Sequence, residues 1–452
     1  MRGANSGPRS SDPGKMGKKG PRTVSTSATE KNHAVRDGAA APTPSAFGYA
    51  THLSCRECGR TRDLGPYYAC EDCFGPLEVA YDFPALTRAE IESGPRNMWR
   101  YAKLLPVPAD IAQRPTTEPG YTRLIRADNL AHALGMRRLW VKDDRDNPTH
   151  SFKDRVVAVA LAAALEMGFK VLACPSTGNL ANAVAAAAAR AGIRSMVLVP
   201  ADLEQQKIIT TAVYGGTFVL VDGNYDDVNR LASELAGEHE DWAFVNVNVR
   251  PYYAEGSKTL GFEIAEQLGW RLPQQVVVPI ASGAQLTKVD KGFRELAALG
   301  LVGDSGWRVF GAQATGCSPV SAAFAAGHDV VAPVRPATIA KSLAIGNPAD
   351  GPYVLDVVRR TGGAIADVSD EEIVDSIRLL AGTEGIFAET AGGVTLGVLR
   401  KLLAAGQLDP GAETVIINSG DGLKTLDAVV GALPVPPLVR PTLESFREAG
   451  VE

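Results

Sequence analysis

From about residue 138 onward, short β-rich apolar runs alternate with helix-like stretches, and that alternation leaves few folds open. The candidate strands are LWVKD (139–143), KVLAC (170–174), SMVLVP (195–200), TFVLVD (217–222), AFVNV (243–247), QVVVPI (275–280), RVFGAQ (308–313) and TVIINS (414–419). Helix-like segments lie between them, among them VVAVALAAALEMG (156–168), LANAVAAAAARAG (180–192), EGSKTLGFEIAEQLG (255–269) and EEIVDSIRLLAG (371–382). Strands separated by helices imply βαβ units and an α/β fold with a largely parallel sheet covered on both faces. Ligands in such folds bind beyond the carboxyl ends of strands, where loops enter helix N-termini. The strand-to-helix junctions are therefore where chemistry is to be sought.

Length and composition narrow the function classes. With 452 residues the chain has room for two to three domains, and 45% hydrophobic with 21% charged residues suits a soluble globular protein. A net charge of −5 supplies no basic excess to neutralise phosphates, which argues against a nucleic-acid-binding body. No uninterrupted apolar run approaches the roughly 20 residues of a membrane helix. Residues 1–45 differ from the rest: they are rich in Gly, Ser, Pro, Ala and Thr, with eight Lys/Arg against three Asp/Glu. Such a stretch cannot bury enough surface to offset its ordering entropy and reads as a disordered basic tail. It lacks the apolar core of a secretory signal.

Four of the six cysteines fall in one window, SCRECGRTRDLGPYYACEDC. Cys55 and Cys58 form one C-x-x-C, and Cys70 and Cys73 form another. Two such knuckles bring four thiolates to the corners of a tetrahedron, the geometry of a structural Zn²⁺ site with no open position for water. Two disulfides or unligated thiols are the other readings, and disulfides are disfavoured in a reducing compartment. Cys174 and Cys317 are isolated and apolar-flanked, as buried bystanders are.

Three junctions stand out. In LWVKDDRDNPTHSFKDR, Ser151 with Asp154 three residues on suits a helix N-cap, which places Lys153 in the first helical turn. A cation is disfavoured at that positive end of the helix dipole. Alone, the motif admits both a lysine held for covalent chemistry and a solvated lysine offset by Asp154. In CPSTGNLANAV (174–184), Ser176, Thr177 and Asn179 with free backbone N–H groups form a cradle for a carboxylate, or an ordinary cap with a turn glycine. In VPIASGAQLTK (278–288), small residues at Ser282, Gly283 and Ala284, followed by Gln285 and Leu286, let backbone amides seat a phosphate. Further on, VIINSGDGLKT (415–425) ends a buried strand with Ser419, whose hydroxyl points into the same crevice.

Taken together and in order over roughly residues 50–430, these pieces resemble the threonine synthases, pyridoxal-phosphate enzymes of fold type II, the tryptophan synthase β-like fold. NPTHSFKDR resembles N-P-T-G-S-F-K-D-R, in which the lysine, here Lys153 beside Phe152, holds the cofactor as a Schiff base. STGN resembles the loop that meets the substrate carboxylate and the cofactor ring oxygen. SGDGLK (419–424) resembles T-G-x-G-L-K, whose hydroxyl faces the ring nitrogen and favours its unprotonated form. IGNPADG (345–351) and EGIFAE (384–389) resemble the family's C-terminal half, and the knuckles with GPLEVAYDF (75–83) resemble the zinc ribbon of some members.

Several positions depart from the family pattern. His150 stands in place of a glycine, and the usual G-N-x-G-N phosphate loop is Ala281–Gln285. E-P-A-S is Glu389-Thr390-Ala391-Gly392 here. Tyr253 occupies the place of an arginine that holds the substrate phosphate, leaving Arg250 and Lys207 for that task.

The resemblance implies open twisted sheets in two domains. A large cofactor-binding domain spans 84–154 and 261–440, and a small mobile α/β domain spans 155–260. A zinc-ribbon module (46–83) precedes them, and a C-terminal tail (441–452) follows. It also implies pyridoxal 5′-phosphate, structural Zn²⁺, a small phosphorylated amino-acid substrate, a homodimer and a cytoplasmic location, with no nucleic-acid or membrane partner. Lys153 acts as general base at Cα in the conversion of O-phospho-L-homoserine and water to L-threonine and phosphate. A cysteate synthase-like or threonine dehydratase-like enzyme is the alternative within the class. A zinc-ribbon binding protein on an inactive body is the alternative outside it.

Overall fold

The computed structural model describes residues 42–450 except 177, 202–204, 224 and 304, and omits the side chains of 205–207, 225 and 226. The predicted basic tail lies outside the described residues up to residue 41. Three strands near the N-terminus, β1 (Ala50–Cys55), β2 (Thr61–Arg62) and β3 (Leu77–Tyr81), form an antiparallel sheet in the order β2-β1-β3. The rest of the described chain is α/β. Its strands are β4 (Arg123–Arg126), β5 (Arg138–Asp143), β6 (Val171–Pro175), β7 (Arg194–Pro200), β8 (Thr217–Val221), β9 (Trp242–Phe244), β10 (Gln275–Pro279), β11 (Arg308–Ala314), β12 (Ile365–Val368) and β13 (Glu413–Asn418).

They build two sheets. One has six strands in the order β12-β11-β10-β13-β5-β4, and the other has four in the order β8-β7-β6-β9. Every pairing in both is parallel except β4 with β5. The two central strands β10 and β13 are buried along their whole length, as a sheet covered by helices on both faces requires. No helix of the described residues is long and apolar enough to cross a membrane.

All eight predicted strands form, and the exceptions in detail have local causes. β9 stops at Phe244, because Asn248 turns back to accept the Phe244 N–H at 2.9 Å and Val247 N–H bonds the Phe244 carbonyl. The helix expected over 255–269 is two helices, Arg250–Glu255 and Lys258–Gln267. The break lies at Gly256, where a Cβ would sit 2.5 Å from the Arg155 carbonyl oxygen. Ser151 is not an N-cap. The helix Lys153–Glu166 begins without a side-chain cap, and the Asp154 carboxylate instead accepts from Thr149 N and Oγ1 at 2.8 and 2.9 Å.

Beneath that helix start lies a set of charges with no exposed side-chain surface. Arg155 donates to both oxygens of Asp144 at 2.8 Å and to Glu263 Oε2 at 2.9 Å, and Lys142 reaches Glu263 at 2.6 Å. Burial opposes the ionised carboxylate of Glu263, yet Arg155 and Lys142 hold its pKa at about 2. The result fixes β5, the Lys153 helix and the Lys258 helix to one another.

Candidate functional site

The ends of β10 and β13 and the start of the Lys153 helix converge on one cleft. Phe152, Lys153, Asn179, Ser282, Gly283, Ala284, Gln285 and Ser419 all line it, so the three junctions and the Ser419 turn meet in space. The Phe152 N–H donates to the Ser419 carbonyl at 2.8 Å, and Ser151 bridges Gly420. These backbone contacts fasten the lysine turn directly to the end of β13. Lys153 Nζ lies 5.4 Å from the Phe152 ring and 5.8 Å from the Tyr253 ring. Among the described residues it has no hydrogen-bond or ion-pair partner. Asp154 is therefore not its counter-ion; burial raises that carboxyl to about 6, against the pull of its Thr149 bonds.

Opposite the lysine, Gly283 adopts φ +97° and starts the helix Ala284–Ala298. The first amides of a helix have no intrahelical acceptor. Gln285 Nε2 is buried there without a hydrogen-bond partner, so the turn presents donors to the cleft. Leu286 is fully buried in the first turn behind them.

A polar row closes the floor. Glu389 is only 2% exposed; its carboxylate accepts from Ser419 Oγ at 2.9 Å and from Asn179 Nδ2 at 2.8 Å. Lys424 Nζ donates to Asn179 Oδ1 at 2.8 Å and to the Thr149 carbonyl at 2.6 Å, which fixes which way the Asn179 amide faces.

Other predicted residues stand differently. Ser176 follows β6 and is tied by its N–H to the Leu198 carbonyl, outside the cleft lining. Thr177 and the Lys207 side chain lie outside the described residues. Arg250 donates to the Asp350 carboxylate at 2.9 Å and does not line the cleft. Sequence reasoning did not place Glu389, Ser257, Ser342 or Lys424 in the site. Glu389 stands in the Glu389–Gly392 stretch set beside E-P-A-S, and Lys424 in SGDGLK, but neither is given a role there, because the fold and not the sequence brings their partners to them.

The four knuckle cysteines form a second constellation. All are free thiols, and their sulfurs lie within 4.8 Å of one another. A tetrahedral zinc thiolate site has sulfur–sulfur edges of about 3.8 Å. The Cys55–Cys73 and Cys58–Cys70 pairs measure 3.4 and 3.8 Å, so the donor set fits that ion.

Comparisons with known proteins give the family. Residues 115–420 match the family model described as "Pyridoxal-phosphate dependent enzyme". A threonine synthase of Methanosarcina acetivorans is 36% identical over 404 residues, covering 88% of this chain and 98% of its own. One from Methanocaldococcus jannaschii is 37% identical over 389 residues, 84% of this chain and 95% of its own. Among solved structures, processed threonine deaminase isoform 2 from Solanum lycopersicum superposes with a TM-score of 0.59 at 20% identity, covering 76% of this chain and 96% of its own. Maize serine racemase gives 0.57 at 21% identity, covering 75% and 94%, and both likenesses speak to the fold alone. The chain belongs to the threonine synthases, within the pyridoxal-phosphate dependent enzymes.

Proposed function

We propose that the chain converts O-phospho-L-homoserine and water to L-threonine and phosphate. The observation that carries this reading is Lys153. Its amine lacks a polar partner among the described residues, and it shares one cleft with unpaired donors at Gln285 and the Asn179–Glu389–Ser419 row. Pyridoxal phosphate, when bound, supplies the electron sink for carbanion chemistry. Lys153 would hold it covalently. The amides of Ser282, Gly283, Ala284, Gln285 and Leu286 would take its phosphate, and Asn179 and Ser419 would meet its ring. Lys153 Nζ is also the chain's proton carrier at the substrate Cα. Asn179, with Ser176 and Thr177, orients the substrate carboxylate, while Arg250 and Lys207 hold the phosphate that leaves Cγ. The segment 155–260 is read as the smaller domain that closes on substrate and excludes water. One structural Zn²⁺ on Cys55, Cys58, Cys70 and Cys73, a homodimer and a cytoplasmic location complete the reading.

One observation favours the dehydratase-like or cysteate synthase-like alternative. Asp350 occupies Arg250, and Lys424 is committed to Asn179 and the Thr149 carbonyl beneath the cleft, so among the described residues Lys153 alone lines it as an uncommitted cation. A substrate panel decides between them. Phosphohomoserine should give equal threonine and phosphate, and phosphate without threonine, or turnover only of threonine or of phosphoserine with sulfite, defeats the first reading. Lys153→Ala should lose at least about a thousandfold in rate and the borohydride-sensitive absorption band of the purified protein.

A further inference from the structure

The Ser282–Gln285 turn is buttressed by the helix Gly351–Arg360, which leads back to the cysteine knuckles. Asp350, just before that helix, donates its N–H to the Ser282 carbonyl at 2.8 Å and pairs its carboxylate with Arg250 at 2.9 Å. A Cβ on Gly283 would meet Asp350 Cβ at 3.0 Å and Val354 Cγ2 at 2.7 Å, so turn and helix leave no slack between them. Three residues beyond Asp350, Tyr353 reaches out of the same helix to the first knuckle. The Arg56 guanidinium lies over its ring, 3.7 Å from the centroid, and its hydroxyl donates to Glu57. Arg56 and Glu57 are the two residues between Cys55 and Cys58.

We infer that Arg56, Glu57 and Tyr353 are positioning residues for the phosphate end of the cofactor and for Arg250, acting through Asp350, an inference that rests on the proposed reading of the cleft. A helix held at Asp350 by the turn and at Tyr353 by the knuckle cannot rotate or slide without moving Ser282 or Arg250. The knuckle has no need of Tyr353 merely to stay docked, because the module has a second attachment. Tyr81 on β3 donates to Glu255 at 2.6 Å, and the Val79 carbonyl accepts from Lys291 at 2.9 Å. Loosening the Tyr353 end therefore frees the helix while the module remains attached.

The test uses the full chain, stripped of cofactor and titrated back while absorbance and fluorescence are followed. Tyr353→Phe and Glu57→Gln should each raise the dissociation constant for pyridoxal 5′-phosphate about threefold to tenfold, the worth of one hydrogen bond. The double variant should do no more than either single one. Affinity for pyridoxal, which lacks the phosphate, should not move. Arg60→Ala breaks a surface pair with Asp72 on the same module and should leave both affinities unchanged. Wild-type phosphate-cofactor affinity in the single variants, an additive double variant, an equal loss for pyridoxal, or an equal loss in Arg60→Ala would each overturn the inference. Should Tyr353→Phe prove insoluble, Glu57→Gln reads the same contact. A wild-type chain that takes up no cofactor defeats the reading of the cleft itself, and the inference with it.

Discussion

His150 is the residue at which this chain strains the turn that leads into Lys153. Its φ is +60°, in the left-handed region that costs an L-residue roughly 1–2 kcal/mol, and glycine adopts it freely. The ring is exposed, with Nδ1 3.2 Å from the Arg145 carbonyl, while the His150 carbonyl accepts the Asp421 N–H. His150→Gly should therefore raise unfolding stability by about 0.5–1 kcal/mol once glycine's greater unfolded-state entropy is subtracted. A denaturant midpoint that falls would show that the imidazole contributes more than its backbone costs. Four residues on, Asp154 has a pKa raised from 3.8 to about 6 by burial. A group raised on folding adds stability below its unfolded pKa and loses it as pH climbs through the folded one. Between pH 4 and 6, Asp154 should thus remove about 2 kcal/mol as pH rises, of about 3 kcal/mol in all above pH 6. Asp154→Asn should flatten the stability profile in that window. An unchanged slope would assign the titration elsewhere.

The elements explain which of these features were legible in the sequence. Parallel strands buried on both faces must be continuous Val, Ile and Leu, so QVVVPI and TVIINS declared themselves as strands. RLIR did not: β4 is a four-residue antiparallel edge strand whose two arginines flank a single Leu-Ile pair, too short a run to show a period. The order of the junctions showed Lys153, Asn179, Ser282 and Ser419 sharing a cleft. The partners of Asp154 and Glu389 stayed hidden because hydrogen-bond choice is settled by residues the fold brings close. Arg155 is the sharpest case. In sequence it is only the last letter of a motif; in the fold it joins Asp144, Glu263 and Thr122 with no exposed side-chain surface. Arg155→Met leaves Asp144 uncompensated and Glu263 with Lys142 alone, and should cost roughly 3–5 kcal/mol. It should also slow turnover, because Lys153 starts the helix that Arg155 anchors. A variant of near-native stability would mean that water or a proton substitutes for the guanidinium.

At the scale of the whole molecule, the cysteine module and the α/β body share buried charge. The module's described strands supply few core side chains, and a fold of that size needs a metal or another body to stand. It has both. Glu255 sits with no exposed surface among Lys258, Lys288 and Lys291 at 2.7, 2.7 and 2.9 Å. Burial would push its pKa up, yet the three lysines outweigh that and hold it below the carboxylate range. The module contributes Glu78, which pairs with Lys288 and lies 3.6 Å from Lys291, and the Tyr81 hydroxyl on Glu255. If zinc leaves and the module unravels, Glu78 goes with it, and three buried lysines face only Glu255 and Glu295. The loss is then a penalty on the body as well as on the ribbon. Chelation, or Cys58→Ser, should therefore lower the main unfolding transition by roughly 3–5 kcal/mol. Denaturant unfolding followed by the tryptophan fluorescence of the body, with and without chelator, reads this directly. A main transition that holds its midpoint while the zinc is released would show that the lysines find other partners and that the two parts fold independently.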